Sequence, residues 1–144
     1  MLQRLLPFIG TAVPLPPGGV PLLTAVNVGQ ANAGRCLGGI GGDTETDASL
    51  RVAWTVTSPY DGQFWNVEVS GFGATQTVPI SNGSVIVPLY GWVESGPENR
   101  QSLNIVFTVK VIAKNSGRVV STMNSATWTK VYGKCSGGGP GDPV

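Results

Sequence analysis

The most regular alternation of apolar and polar side chains runs from Leu103 to Lys114. Leu103, Ile105, Phe107, Val109, Val111 and Ala113 share one side, and Asn104, Val106, Thr108, Lys110, Ile112 and Lys114 share the other. This period of two places one face of a β-strand in a core. Asn115-Ser116-Gly117 follows with residues that tolerate the positive φ of a tight turn, and Val119 to Tyr132 returns with the Val, Thr, Trp and Tyr content that suits a pleated surface. The pattern predicts one long hairpin, Leu103 to Tyr132, as the surface on which the other segments pack.

Shorter alternations precede it. Pro21 to Val28 reads as a first strand. Leu50, Val52, Trp54 and Val56 share a face opposite Ser49, Arg51, Ala53, Thr55 and Thr57, and Ser58 to Gly62 turns the chain. Trp65, Val67 and Val69 then alternate with Phe64, Asn66, Glu68 and Ser70. Thr75–Ile80 and Ser84–Tyr90 are expected to pair across Ser81-Asn82-Gly83. Pro79 and Pro88 lack the N–H that a ladder needs, which assigns both segments to edges or bulges. Gly29 to Asp47 is glycine-rich and reads as a flexible, solvated connection. A run of roughly seven short strands with turn signals about 8–12 residues apart predicts an all-β chain folded as a single antiparallel β-sandwich.

Residues 1–20 depart from this pattern. They carry a single charge, Arg4, and mix Leu, Phe, Ile and Val with Pro7, Pro14, Pro16 and Pro17. Proline at that density prevents a continuous helix, so neither a signal peptide nor a membrane-inserted span is expected. Extended at about 3.3 Å per residue the segment reaches roughly 60 Å, and its apolar content calls for shelter from water. Folding back over its own domain and lying on a partner subunit are both open. On the second reading Leu5, Leu6, Phe8, Ile9, Val13 and Leu15 are the partner-binding residues. The expected organisation is an apolar Pro-rich arm over 1–20, a sandwich over 21–134 and a Gly/Pro-rich tail over 135–144.

Composition narrows the chemistry. Nine basic and eight acidic side chains in 144 residues provide no field that would recruit nucleic acid. Histidine is absent, which removes the commonest general base and transition-metal ligand. Glu94 and Glu98 are the carboxylate pair that a glycosidase would need, but both lie in one loop beside glycine and proline, so no enzymatic activity and no catalytic residue are expected. Asp43, Glu45 and Asp47 alternate like calcium ligands without the glycine and distal glutamate of an EF-hand. Gly38-Gly39-Ile40-Gly41-Gly42 lacks the Lys and Ser/Thr of a phosphate loop. No metal site and no cofactor are expected. Asn82-Gly83-Ser84 has the form of a glycosylation triplet and is read as a turn. Tyr60, Phe64 and Trp92 are the candidate stacking platforms for a sugar ring. Cys36 and Cys135 flank the strand-rich region; an internal disulfide, free thiols and a link to a neighbouring subunit are all open.

A resemblance enters at the strands. Ser49-Leu50-Arg51-Val52-Ala53-Trp54, the Pro59 turn and Trp65-Asn66-Val67-Glu68-Val69 resemble the second and third strands of a fibronectin type III domain. Phe107 to Gly117 is similar to that family's sixth strand and following turn. The resemblance covers roughly 21–132 and implies a two-sheet, immunoglobulin-like sandwich with Trp54 in its core. Phe107 stands where the family usually has a tyrosine, and Gly29–Asp47 is longer than the usual first connection. Similar sandwiches recur among tailed-phage decoration, tail and fibre proteins. That analogy of fold leads to an expected non-enzymatic structural protein of the virion, made in a host cytoplasm and docked through its arm on protein subunits of a capsid or tail lattice, homo-oligomers included. The alternative is a carbohydrate- or receptor-binding β-sandwich module.

Overall fold

The structure is a computed structural model that describes residues 13–37 and 44–135. Its elements are β1 (Leu23–Asn32), β2 (Arg35–Leu37), β3 (Thr44–Thr46), β4 (Ala48–Val56), β5 (Trp65–Gly71), β6 (Ala74–Pro79), β7 (Ser84–Leu89), β8 (Glu98–Ile105), β9 (Thr108–Ala113), β10 (Val119–Asn124) and β11 (Trp128–Lys134), with short 3-10 turns at Gly62–Phe64 and Ile80–Asn82. A three-stranded sheet, β1-β4-β7, and a four-stranded sheet, β10-β9-β5-β6, are antiparallel throughout. Two smaller ladders, β11-β8 and β2-β3, complete the fold.

The alternation read from the sequence builds the core. Ala48, Leu50, Val52 and Trp54 from β4 and Val85, Val87 and Leu89 from β7 lie buried in one cluster with Trp65, Val67 and Val69 from β5 and Val109, Val111 and Ala113 from β9. Apolar faces from both larger sheets thus share one interior, a sandwich arrangement. At roughly 25 cal/mol per Å² such burial is the main stabilising term.

The long hairpin forms but bends. Thr108 faces Asn124 in the β9–β10 ladder, and Ile105 faces Trp128 in the β8–β11 ladder. Between these pairs Val106-Phe107 is matched by Ser125-Ala126-Thr127, one residue more, so the return arm bulges. Phe107 is fully buried, and its N–H donates to Ser125 Oγ (3.0 Å) while its carbonyl accepts the Ser125 N–H (2.8 Å). The Ser125 hydroxyl, buried with it, donates onward to Ala126 O (2.8 Å). One serine therefore keeps the backbone satisfied where the hairpin leaves the four-stranded sheet. Gly71 makes room for the Phe107 ring: a Cβ there would stand 2.5 Å from Phe107 Cδ1.

The expected pairing of Thr75–Ile80 with Ser84–Tyr90 is corrected. β6 pairs with β5, β7 pairs with β4, and the chain changes sheets between them. The Ser81-Asn82-Gly83 turn exists, with Gly83 at φ 75°, but Trp54 captures it: Trp54 N donates to Gly83 O (3.1 Å) and Trp54 Nε1 to Ile80 O (3.3 Å). β5 and β6 are joined instead by Phe72-Gly73, both at positive φ (53° and 78°), the geometry of a two-residue hairpin turn. Both prolines fall on edge strands, Pro79 at the end of β6 and Pro88 in β7. The Gly29–Asp47 connection, expected to be flexible and solvated, carries the antiparallel β2–β3 pair, in which Cys36 faces Glu45.

Candidate functional site

Three places bear on function: the N-terminal strap, the aromatic positions, and the polar contacts beneath the β8–β11 ladder.

Residues 13–22 lie across one end of the sandwich. Leu15 and Val20 pack against the core, and Pro16 and Pro21 are buried. Asn115 Nδ2 donates to Pro14 O (3.4 Å) and Thr57 Oγ1 to Val20 O (3.4 Å). Leu22 and Thr57 then exchange bonds, Leu22 N to Thr57 Oγ1 (2.9 Å) and Thr57 N to Leu22 O (2.8 Å). Gly19, at φ 108°, lies so close to the Pro59 carbonyl that a Cβ would overlap it. The described part of the expected arm thus folds back over its own domain, and Leu15 is turned to that core. Val13 and Leu22 stay exposed, at 42% and 46%. Leu5, Leu6, Phe8 and Ile9 lie outside the described residues.

The candidate stacking residues do not come together. Tyr60 and Phe64 follow the C-terminal end of β4 beside the strap, where Lys114 N donates to Phe64 O (3.0 Å). Trp92 is at the other end of that strand, its carbonyl accepting the Ala48 N–H (2.8 Å). The nine residues of β4 separate the two groups, about 30 Å at ~3.3 Å per residue. All three rings pack against the core, and Lys134 Nζ sits over the Trp92 ring, 4.6 Å from its centre. Among the described residues the most exposed aromatic is Tyr90, at 71%. Its place one residue beyond the Val85, Val87, Leu89 alternation, on the polar phase, is the signal that would have found it.

The densest polar contacts join β11 to β1. Trp128 Nε1 donates to Tyr132 Oη (3.2 Å), Tyr132 Oη donates to Gln30 Oε1 (3.0 Å), and Gln30 Nε2 donates to Glu94 Oε1 (3.0 Å). Lys130 Nζ closes the chain on Glu94 Oε2 at 3.2 Å. Hydrogen bonding from Gln30, then from Lys130, holds the Glu94 carboxyl below the usual carboxylate range. Burial pushes the Tyr132 phenol up, opposed by the Trp128 N–H. Arg100 Nη1 donates to Glu94 O (2.9 Å) and Gly96 O (2.8 Å), while Val93 and Gly133 form an antiparallel bridge. Gly96 and Gly133 cross so closely that a Cβ on either would overlap the other's backbone. Of the two carboxylates weighed as a glycosidase pair, Glu94 contacts Lys130 and Gln30, and Glu98 faces Lys134 in the ladder.

Cys36 and Cys135 form a disulfide, with Cα atoms 5.5 Å apart; of the open alternatives, the internal staple is the one present. Asp47 Oδ1 accepts the Gly91 N–H (3.0 Å), and Asp43 lies outside the described residues. Among the described residues no group of three or more His, Cys, Asp or Glu could hold a metal ion, and no helix is long and apolar enough to cross a membrane. Comparison with known proteins gives no match, whether to a family model, a curated protein or a solved structure.

Proposed function

We propose that the chain is a non-enzymatic structural module, an immunoglobulin-like sandwich that docks on the protein subunits of an assembly through its N-terminal segment, and that this assembly is a virion. The strand orders β1-β4-β7 and β10-β9-β5-β6, with a crossing between sheets from β6 to β7, support the immunoglobulin-like reading, since such sandwiches face two antiparallel sheets through Greek-key connections. The virion reading rests on analogy of fold.

The observation that carries the docking reading is the strap. It fastens the start of the sandwich at Asn115, Thr57 and Pro59 and leaves Val13 and Leu22 exposed. The residues before it hold Leu5, Leu6, Phe8 and Ile9 with Arg4 as their one charge, an apolar set suited to the core of a contact between proteins. The separation of Trp92 from Tyr60 and Phe64 takes away the strip that a sugar-stacking reading needs.

The experiment is removal of residues 1–12, which spares Leu15 and Val20 and so the core. The shortened chain is expected to melt at the same temperature and to lose co-sedimentation with assembled particles. Undiminished co-sedimentation would remove the arm from assembly.

A further inference from the structure

The edges of the described sheets are protected unequally. β6 ends in Pro79, Pro88 takes a donor from β7, and Gln76 Nε2 reaches across to Ile86 O (2.9 Å). β1 and β10, the edges on the other side, are tied by Leu23 N donating to Ser121 Oγ (2.9 Å). Proline, bulges and cross-edge contacts are the usual ways of preventing strand addition.

Among the described residues nothing of this kind protects β8 from Arg100 to Ile105. Among the described residues β11 is its one strand partner, and their register is unbroken from Gln101 to Ile105. The stretch contains no proline, and Arg100, Gln101, Ser102 and Asn104 are exposed. The Arg100 guanidinium turns across β11 toward the carbonyls of Glu94 and Gly96, so its charge points away from the free edge. A two-stranded ladder alone is marginal in water, and added strands stabilise it.

We propose that β8 is a self-pairing edge: β8 of two copies joins antiparallel about a two-fold axis, giving a four-stranded β11-β8-β8′-β11′ sheet. The occupant is a second copy because the strand is complementary to itself. About an axis at Ser102 the two Ser102 residues meet, Gln101 of each copy meets Leu103 of the other, and Arg100 meets the uncharged Asn104. The two Glu98 carboxylates fall about 25 Å apart along the strand at ~3.3 Å per residue. No like charges are opposed, which would disfavour the pairing. A two-fold contact of this kind closes, so a dimer rather than a fibre results. The inference does not rest on the docking reading, because the strap lies at the other end of the molecule.

The test is sedimentation equilibrium on the full chain over a micromolar to submillimolar range. The wild type is expected to show a monomer–dimer equilibrium. Ser102→Lys and Ser102→Glu should each weaken it about tenfold or more by opposing like charges at the axis, and an equimolar mixture of the two should restore a heterodimer. Thr77→Lys on β6 should change nothing, and unchanged circular dichroism checks that each variant folds. A wild type that stays monomeric throughout overturns the proposal, including the case in which another segment covers β8. A Ser102→Lys variant that dimerises like the wild type, or a mixture that fails to pair, also overturns it.

Discussion

The two halves of one hairpin are held by different physics. In β9, Val109, Val111 and Ala113 alternate into the shared core, and β10 and β5 flank the strand. In β8 only Ile105 is buried, and in β11 only Tyr132 and Gly133. The inner half is secured by apolar area removed from water. The outer half depends on the Trp128–Tyr132–Gln30–Glu94–Lys130 contacts, the Gly96–Gly133 crossing and the Cys36–Cys135 bond. A strand with few buried side chains is kept in place by directed contacts, and directed contacts can be removed one at a time.

The most damaging change strikes the hinge between the halves. Phe107→Ala empties a fully buried site and should cost about 3–5 kcal/mol in denaturant unfolding, with both halves affected. Next comes the disulfide. Its ends are 99 residues apart, a loop whose closure contributes up to roughly 4.7 kcal/mol in the chain-entropy model. Cys36→Ser with Cys135→Ser should lower the melting temperature while near-ultraviolet circular dichroism retains the signal of the packed Trp54 and Trp65. Ser125→Ala is expected to cost less, about 1–3 kcal/mol, because it leaves the buried Phe107 N–H without its acceptor.

The smallest effect is one of pH. The Glu94 carboxyl is held low in the folded state, so its contribution is complete above the usual carboxylate range and is lost as pH falls through its folded value. Relative to the intrinsic exchange rate at each pH, amide protection in β11 should therefore fall on acidification more than protection in β9. Glu94→Gln should flatten that dependence.

Much of the shared core was legible in the sequence, and less of the hairpin's outer half. Leu50, Val52, Trp54, Trp65, Val67, Val69, Val109 and Val111 announce their strands by period alone, and all are buried. Pairing was harder to read. Ser81-Asn82-Gly83 has the chemistry of a hairpin turn, yet the Trp54 contacts recruit it as a corner between sheets, a tertiary effect that no local window contains. The outer half hides for the same reason: Gln30 and Tyr132 are 102 positions apart, and nothing in either neighbourhood indicates the other. The strap was half legible. Its greasy, proline-broken composition called for shelter, and the Pro59 and Asn115 contacts supply that shelter for residues 13–22 from the chain's own sandwich.

Hydrogen–deuterium exchange on the oxidised and the reduced protein tests the division most directly. Reduction is predicted to raise exchange across Glu98–Ile105 and Trp128–Lys134 while Leu50–Val56, Trp65–Val69 and Thr108–Ala113 keep their protection. Equal loss of protection in all five segments would contradict the account, since the hairpin would then be one cooperative unit held by a single core.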